Sequence, residues 1–336
     1  MPERRSTRHE TTSRSSREKS GGAKKDVKEK RPTGQAFTRC RFMDDEWRIC
    51  GDEVSPWLLE THDFLVVATL GAQKVGRSTV LSTLLSPFFH ADGPSAANFQ
   101  VPLGIHTAES FLEGQSSPGV DMCITMDRLL LLDAQPLFES SADLPSELCL
   151  MIFLASICHC ILVVTDTALD PELWRFLRLL ATLKAKVPDL ASWLKTQANE
   201  ASTPKEAFPH LLVVFNNMEE DEELHEPMED FLKYTAWKAA PSIRCVTVPH
   251  LPGLSAEEML CSAQAAELGR SLRQELFHEG SAAPGGFGGL QLTEKQWLNH
   301  LLEYWDFVQK RSEIQSYFDL PMAGRLKSLD SPDPKS

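Results

Sequence analysis

The sequence predicts an α/β fold with a mixed, mostly parallel six-stranded sheet and helices on both faces. Three observations predict it. Short apolar runs typical of buried strands alternate with segments whose apolar residues recur at helical spacing. A loop containing two glycines, Gly71–Ser78, stands between the first of these strands and the first helix. Two adjacent strands within residues 120–133 are joined by a two-residue turn, which indicates an antiparallel hairpin.

Residues 1–36 are predicted to be a disordered basic arm. Residues 1–31 contain eleven Lys/Arg and five Asp/Glu, a net charge of +6, although the whole chain carries −13. Because this region almost lacks large apolar side chains, it cannot bury enough surface to fold. We interpret it as a solvated tail, with contact to RNA or an acidic partner as the alternative. Residues 37–59 are then predicted to form a short adapter segment anchored by Phe42, Trp47 and Trp57.

The first strand, loop and helix have the pattern of a phosphate-binding loop. Phe64–Leu70 is a continuous apolar run, as expected of a parallel strand buried on both faces. Residues 78–85 have helical spacing that stops at Pro87, because proline cannot continue a helix. Backbone amides of such a loop and of the helix N-terminus face phosphates, and the Ser78 hydroxyl would face a magnesium ion. The alternative is a turn that binds no ligand.

One residue of the loop departs from the motif. Arg77 stands where the motif demands lysine. Arginine keeps the positive charge, but its guanidinium is longer, planar and forked, so the exchange is not conservative. The arginine therefore raises the question of whether a bound nucleotide is ever cleaved.

The elements after the loop continue the alternation of strands and helices. Residues 90–119, rich in Gly, Pro and Ser, are predicted to be a long connection in which a nucleotide-dependent switch would lie. Thr107 is the candidate switch threonine there, and a loop threonine without a role is the alternative. The later predicted elements are strands at Val120–Thr125 and Arg128–Asp133, a helix at Pro145–Ile157, a strand at Ile161–Thr165, a helix at Pro171–Lys186 capped by Asp170, and strands at Leu211–Phe215 and Ile243–Val248.

The end of the third strand carries the second nucleotide motif in altered form. Asp133 is in place to hold magnesium through water, as in the Asp-x-x-Gly motif of G domains. Pro136 replaces the glycine, so the N–H that would contact the terminal phosphate is absent. Leu137 stands where the water-positioning glutamine is expected. We therefore predict slow or no hydrolysis and weak switching, which indicates a pseudo-GTPase with no catalytic residues.

Base recognition is the third motif, and it is also incomplete. The segment Asn216-Asn217-Met218-Glu219 stands where guanine-selective sites have Asn-Lys-x-Asp. Asparagine matches, lysine does not, and glutamate places its carboxylate one methylene further out. ATP, GTP and GDP therefore all remain candidate ligands. The candidate nucleotide-binding residues are Gly71, Lys74, Gly76, Arg77, Ser78, Thr79 and Asn216, and the candidate magnesium ligands are Ser78 and Asp133.

The C-terminal region predicts a separate helix. Gly280–Gly289 is a glycine-rich linker, and Thr293–Tyr317 follows with helical spacing. Its apolar stripe either packs on the domain or meets a partner. The stripe consists of Trp297, Leu301, Tyr304, Trp305 and Val308. The predicted organisation is an arm at 1–36, an adapter at 37–59, a phosphate-loop domain at 60–278, a linker at 279–291, a helix at 292–320 and a disordered tail at 321–336.

Cysteine usage and hydropathy predict a cytosolic or nuclear protein, and we expect a cytoplasmic one. The eight cysteines lie mostly in apolar runs and lack paired C-x-x-C spacing. The one cluster, Cys158-His159-Cys160, would place its side chains on alternate faces of a strand, so we interpret these as core cysteines in a reducing compartment. No uncharged apolar stretch reaches the roughly 18 residues of a membrane span.

These features together resemble the SMG-nine family of the nonsense-mediated mRNA decay machinery. The resemblance runs from about residue 60 to 320 and depends on three segments, which are Asp133-Ala134-Gln135-Pro136, Gly119-Val120-Asp121 with Ile124-Thr125, and Leu292-Thr293-Glu294-Lys295-Gln296-Trp297. It implies a G-domain-like protein that forms a heterodimer with a second subunit, SMG-eight. The pair would bind and restrain SMG-one, a phosphatidylinositol-kinase-related kinase. It also implies a structural nucleotide held by the loop, with Asp133 near magnesium.

One other function stays open from the sequence, and a second is disfavoured. An active GTPase switch is the main alternative, because the phosphate loop is present. A nucleoside or metabolite kinase needs an arginine-rich lid and an acceptor site, and the acidic stretch at 219–230 offers neither.

Overall fold

The computed structural model describes residues 37–87, 119–135, 144–168, 170–199, 208–218, 222–235, 237–249, 262–278, 286–287 and 290–319. Several predictions made from the sequence lie outside these residues. They are the basic arm, the switch connection with Thr107, the departures at Pro136, Leu137 and Glu219, most of the glycine-rich linker, and the C-terminal tail.

A seven-stranded sheet forms the centre of the fold, with the order β1-β3-β4-β2-β5-β6-β7. Strands β4, β2, β5, β6 and β7 run parallel to one another, and β3 is antiparallel to both β1 and β4. A separate two-stranded hairpin joins β8 to β9. The strands are β1 Phe37–Met43, β2 Leu65–Leu70, β3 Val120–Thr125, β4 Leu129–Ala134, β5 Cys160–Thr165, β6 His210–Asn216, β7 Ile243–Val248, β8 Gly286–Phe287 and β9 Leu290–Gln291.

The prediction of a mixed, mostly parallel α/β sheet is confirmed, but the strand count of six is wrong. The adapter segment contributes a seventh strand, β1, which pairs antiparallel with β3 at the sheet edge. Arg39 and Arg41 hid this strand from the sequence pattern, since both side chains form ion pairs with Asp121 on the neighbouring strand. A break in register after Arg41 places the consecutive residues Phe42 and Met43 both in the core, which removes the alternation expected of a strand.

Helices cover both faces of the sheet, as predicted. Consecutive residues of β2 show the two faces, since Val66 contributes to one apolar core and Val67 to the other. The second core contains apolar residues of the helices at 77–83 and 263–278. The helices at 144–157, 171–184, 190–197 and 294–309 contribute to the first core. The helices are α1 Gly51–Val54, followed by a 3-10 turn at Ser55–Trp57, then α2 Arg77–Thr83, α3 Leu144–Ile157, α4 Pro171–Lys184, α5 Leu190–Gln197, α6 Glu222–Thr235, α7 Ala263–His278, α8 Glu294–Gln309 and α9 Ser312–Asp319.

Two helices illustrate how local sequence sets their ends. The Asp170 carboxylate accepts from the backbone N–H groups of Glu172 and Leu173 at the start of α4, as its N-cap position predicts. At α8, the Thr293 hydroxyl accepts from the Gln296 N–H while the Gln296 side chain accepts from the Thr293 N–H, a reciprocal capping box. The predicted single helix at 293–317 is two helices, α8 and α9.

The aromatic stripe of α8 packs on the domain. All five of its residues are buried. Trp297 Nε1 donates to the Ile157 carbonyl at 3.2 Å, and Trp305 Nε1 donates to the Trp47 carbonyl at 2.8 Å. The Phe153 ring of α3 lies 4.9 Å from the Trp305 ring. Of the two alternatives that the sequence left open for the stripe, packing on the domain is the one found. No helix in the described part of the chain is long and apolar enough to cross a membrane.

Candidate nucleotide-binding site

The candidate site lies where the parallel strands end. The loop follows the carboxyl end of β2, which is hydrogen-bonded to β4 on one side and β5 on the other. Thr69 of β2 pairs in register with Asp133 of β4. On the other side of β2, Asn216 is the last residue of β6, the strand beyond β5. Ligands of open α/β sheets bind outside the carboxyl ends of the strands. The fold therefore brings the loop, Asp133 and Asn216 to one edge of the sheet.

Close approaches by neighbouring atoms explain both glycines of the loop. Gly76 has φ +85°, a conformation that L side chains rarely adopt, and a Cβ there would lie 2.3 Å from Asn216 Nδ2. A Cβ on Gly71 would lie 2.4 Å from the Val164 carbonyl oxygen of β5. Lys74 also has positive φ, at +70°. The loop is therefore a tightly wound turn pressed against β5 and β6, a shape compatible with a phosphate cradle.

Asn216 holds the loop from the side of β6. Its Nδ2 donates to the Val75 carbonyl at 2.8 Å, and its side chain is buried. The motif reading assigned Asn216 to base recognition, and the contact in the structure is with the loop itself. This positioning role was missed from the sequence, which shows the asparagine but not its partner 141 residues away.

Ser78, Asp133 and Thr69 form a hydrogen-bonded group beneath the loop. The Ser78 hydroxyl donates to Asp133 Oδ2 at 2.5 Å, and the Thr69 hydroxyl donates to Asp133 Oδ1 at 3.2 Å. Burial raises the pKa of the Asp133 carboxyl, while the charge of Arg77 and the hydrogen bonds from Ser78 and Thr69 act to lower it. Thr69 was not among the predicted site residues, although it stands one residue before the end of a predicted strand.

Arg77 is turned into the protein. The residue is only 8% exposed, and its Nη1 donates to the Ala134 carbonyl at the end of β4. The side chain passes Gly71, since a Cβ on that glycine would lie 3.0 Å from Arg77 Cδ. Its guanidinium charge acts on Asp133. The predicted role of Arg77 in the phosphate cradle is therefore accompanied by a contact that the sequence did not reveal.

The residues present fit a phosphate group better than a magnesium ion. The tight loop and the start of α2 at Arg77 supply backbone amides of the kind that bind phosphates. For magnesium, both carboxylate oxygens of Asp133 already accept hydrogen bonds, and a guanidinium charge acts on the same carboxylate. The magnesium assignment to Ser78 and Asp133 stays a prediction. Among the described residues, no group of three or more His, Cys, Asp or Glu side chains is placed to hold a metal.

The turn of the β3–β4 hairpin is fastened to two C-terminal helices. Arg128 forms an ion pair with the fully buried Glu294 at the start of α8, and its Nε donates to Glu294 Oε1 at 2.6 Å. Glu294 Oε2 also accepts from the Leu59 N–H at 2.7 Å. On the other side, Arg273 of α7 donates to the Asp127 carboxylate and to the Leu84 carbonyl. Neither ion pair could be found from sequence spacing, because the partners are 166 and 146 residues apart.

The helix after Asp133 is buried on every side. From Leu148 to Ile157 each residue of α3 is buried, including Ser156. The sheet lies on one side of this helix, and Trp297, Tyr304 and Trp305 of α8 cover the other. Nucleotide switches move the elements that follow this aspartate, whereas α3 is held here in the core.

The Cys158-His159-Cys160 cluster is part of the core. All three side chains are buried, and burial raises the pKa of the Cys160 thiol to about 12. His159 Nδ1 accepts from the Val66 N–H at 2.9 Å. Burial lowers the pKa of His159 to about 3, so the imidazole is neutral in the folded protein. These contacts tie the start of β5 to β2 and confirm the interpretation of the two cysteines as core residues.

Comparison with known proteins gives one family and a consistent set of relatives. The family model described as Smg8_Smg9 matches residues 135–236. The nonsense-mediated mRNA decay factor SMG9 of Salmo salar is 24% identical over 345 residues, which cover 82% of this chain and 66% of that one. The SMG9 factors of Xenopus laevis and Xenopus tropicalis are each 23% identical over 343 residues, with the same coverage.

A solved structure was also matched. The bacterial selenocysteine-specific elongation factor EF-Sec aligns with 64% of this chain and 29% of its own, at 16% identity and a TM-score of 0.35. At that TM-score the likeness carries no weight, so the fold assignment rests on strand order and pairing.

The matches agree with one another across the chain. The family model covers the segment from the end of β4 to α6, and the relatives extend the similarity over most of the remainder. The chain spans 66% of the length of these relatives. The chain is therefore similar to the Smg8_Smg9 family over residues 135–236 and to the SMG9 factors over most of its length.

Proposed function

We propose that the protein is a non-catalytic, nucleotide-binding scaffold of nonsense-mediated mRNA decay with a G-domain-like fold. It pairs with the SMG-eight subunit, and the heterodimer binds and restrains the SMG-one phosphatidylinositol-kinase-related kinase in the cytoplasm. The three relatives are named as nonsense-mediated mRNA decay factors, which supports a role in that pathway. The loop beside Asp133 and Asn216 supports nucleotide binding.

The observation that carries the non-switching part is the burial of α3. In nucleotide switches, contacts with the terminal phosphate order and release the segments that follow the magnesium-holding aspartate. In this protein the helix after Asp133 lies between the sheet and α8, with every residue from Leu148 to Ile157 buried. Moving α3 would open the larger apolar core. The free energy of a contact with the terminal phosphate is too small to drive that movement.

The fastened hairpin supports the same conclusion. The Arg128–Glu294 pair has almost no exposure to solvent. Removing one partner of such a buried pair costs about 3–5 kcal/mol, because the other charge is left uncompensated. Strand β1 also pairs with β3 along the edge that faces away from β4, which restrains the hairpin further. A rigid domain of this kind is suited to presenting fixed surfaces to partner proteins.

Nucleotide turnover and assembly together test the proposal. The full chain is purified with SMG-eight, and hydrolysis of GTP and of ATP is measured with magnesium. A scaffold shows no hydrolysis above the spontaneous rate, and Ser78→Ala leaves co-purification with SMG-eight and SMG-one unchanged. Magnesium-dependent GTP turnover that disappears in Ser78→Ala would overturn the proposal in favour of an active GTPase switch.

The regulatory part has its own measurement. Phosphorylation of the pathway's RNA helicase by SMG-one is followed with and without the heterodimer. The proposal requires slower phosphorylation when the heterodimer is present at saturating concentration. An unchanged or faster rate would remove the restraining role and leave assembly alone.

A further inference from the structure

Arg77 is a buried cation in the middle of the candidate site. Its side chain crosses beside Gly71, and its Nη1 donates to the Ala134 carbonyl, one residue after Asp133. The guanidinium charge attracts the Asp133 carboxylate. Arginine stays protonated at every pH at which the protein is folded, so this positive charge is permanent.

The Asp133 carboxylate already accepts two hydrogen bonds from groups of the protein. One oxygen accepts from Ser78 and the other from Thr69. Burial raises the pKa of this carboxyl, and the positive charge of Arg77 acts in the opposite direction. The Ser78 and Thr69 hydroxyls therefore hold the carboxylate, and the Arg77 guanidinium is held on the carbonyl of the next residue, Ala134.

The surroundings of Asp133 do not suit a magnesium ion. The ion needs near-octahedral oxygen ligands at short distances and releases its own waters reluctantly. A divalent cation next to Asp133 would also lie close to the fixed charge of Arg77, and like charges repel strongly where solvent is excluded. A lysine at this position in ordinary phosphate loops reaches the outer phosphates and leaves the aspartate to the metal.

We infer that Arg77 takes the place of the magnesium ion, so that the loop at Gly71–Ser78 holds a nucleoside phosphate without a divalent cation. The inference rests on the proposed nucleotide binding and specifies its chemistry. Arg77 is a positioning residue, since it neutralises Asp133 and holds the end of β4 against the loop. The phosphates are left to the backbone amides of the loop.

Nucleotide binding with and without magnesium tests the inference directly. ADP, ATP, GDP and GTP are titrated into the full chain by calorimetry, in excess magnesium chloride or in EDTA. The wild-type dissociation constant should change by less than about twofold between the two conditions. The Arg77→Lys variant restores the motif lysine and frees Asp133, so magnesium should tighten its binding by about tenfold or more. A wild-type protein that loses about tenfold or more affinity in EDTA would overturn the inference.

A second measurement needs no nucleotide. Thermal unfolding midpoints are compared for Arg77→Met, Asp133→Asn and the double variant. Each single change should lower the midpoint by several degrees, and the double change should lower it by no more than the worse single one, because the two residues act as a pair. Arg270→Met is the matched control, since that exposed guanidinium pairs with Glu267 one turn earlier on its own helix, and its midpoint should stay unchanged.

The outcomes separate this inference from the proposed function. Midpoint shifts that add up in the double variant overturn the Arg77–Asp133 pairing and leave nucleotide binding standing. Failure of all four nucleotides to bind in both conditions overturns nucleotide binding, and cation-free binding with it, while the unfolding cycle still decides the pairing.

Discussion

Single residues in the loop show how tightly the site is built. Gly76 needs both its positive φ and its missing Cβ, because Asn216 Nδ2 lies in the space where a Cβ would stand. That amide also holds the loop through the Val75 carbonyl. The motif predicted the glycine, but only the structure shows that Asn216 enforces it.

The Gly76→Ala variant should therefore be clearly less stable. A left-handed conformation costs an L-residue about 1–2 kcal/mol, and displacement of Asn216 from Val75 adds about 1 kcal/mol. We expect a loss of about 2–3 kcal/mol in the free energy of unfolding, measured in urea. Gly51→Ala is the control, since nothing lies within 4 Å of a Cβ there. Equal midpoints for the two variants would contradict the close approach.

His159 gives a pH dependence whose sign follows from its burial. The pKa is lowered from 6.5 to about 3 in the folded protein, so between these values the unfolded chain binds more protons than the folded one. Stability from this residue is fully present above pH 6.5 and is lost as the pH falls, at up to about 1.4 kcal/mol per pH unit.

The His159→Asn variant tests this dependence. Its amide oxygen can still accept from the Val66 N–H, while the side chain no longer titrates. The free energy of unfolding should then fall less steeply between about pH 6 and pH 4 than in the wild type. Parallel curves for the two proteins would mean that His159 contributes nothing to the acid sensitivity.

At the scale of elements, the ion pair between the hairpin and α8 is the contact that joins parts of the chain far apart in sequence. Glu294→Gln leaves the Arg128 charge buried without its partner, so we expect a loss of about 3–5 kcal/mol in urea unfolding. Asp306→Asn breaks the exposed pair with Lys310 and should cost no more than about 1 kcal/mol. Similar losses for both variants would show that burial does not set the strength of the hairpin contact.

The elements also show where sequence reasoning succeeds and where it fails. Strands β2 to β7 and helix α4 were predicted to within a few residues, because apolar runs and caps are local signals. Strand β1 was missed, because its two arginines form ion pairs with Asp121 on another strand, which the local sequence does not show. The packing of α8 was left open, because an aromatic stripe looks the same whether its own domain or a partner covers it.

At the scale of the whole molecule, the proposed scaffold requires a rigid domain. Helix α3 is enclosed between the sheet and α8, and the hairpin is fastened at its turn and along its edge. The site residues were predicted from three motifs, and the fold brings the described ones to one edge of the sheet. What the sequence could not supply was their contacts, above all the hydrogen bond from Arg77 to the Ala134 carbonyl beside Asp133.

Hydrogen exchange of α3 and of the β3–β4 hairpin tests the central claim most directly. The full chain with SMG-eight is followed without nucleotide, with GDP and with GTP, because backbone amide exchange reports how readily each element opens. The rigid scaffold predicts the same protection for both elements in all three states. Protection of α3 or the hairpin that differs by about tenfold or more between the GTP and GDP states would contradict it and identify a nucleotide switch.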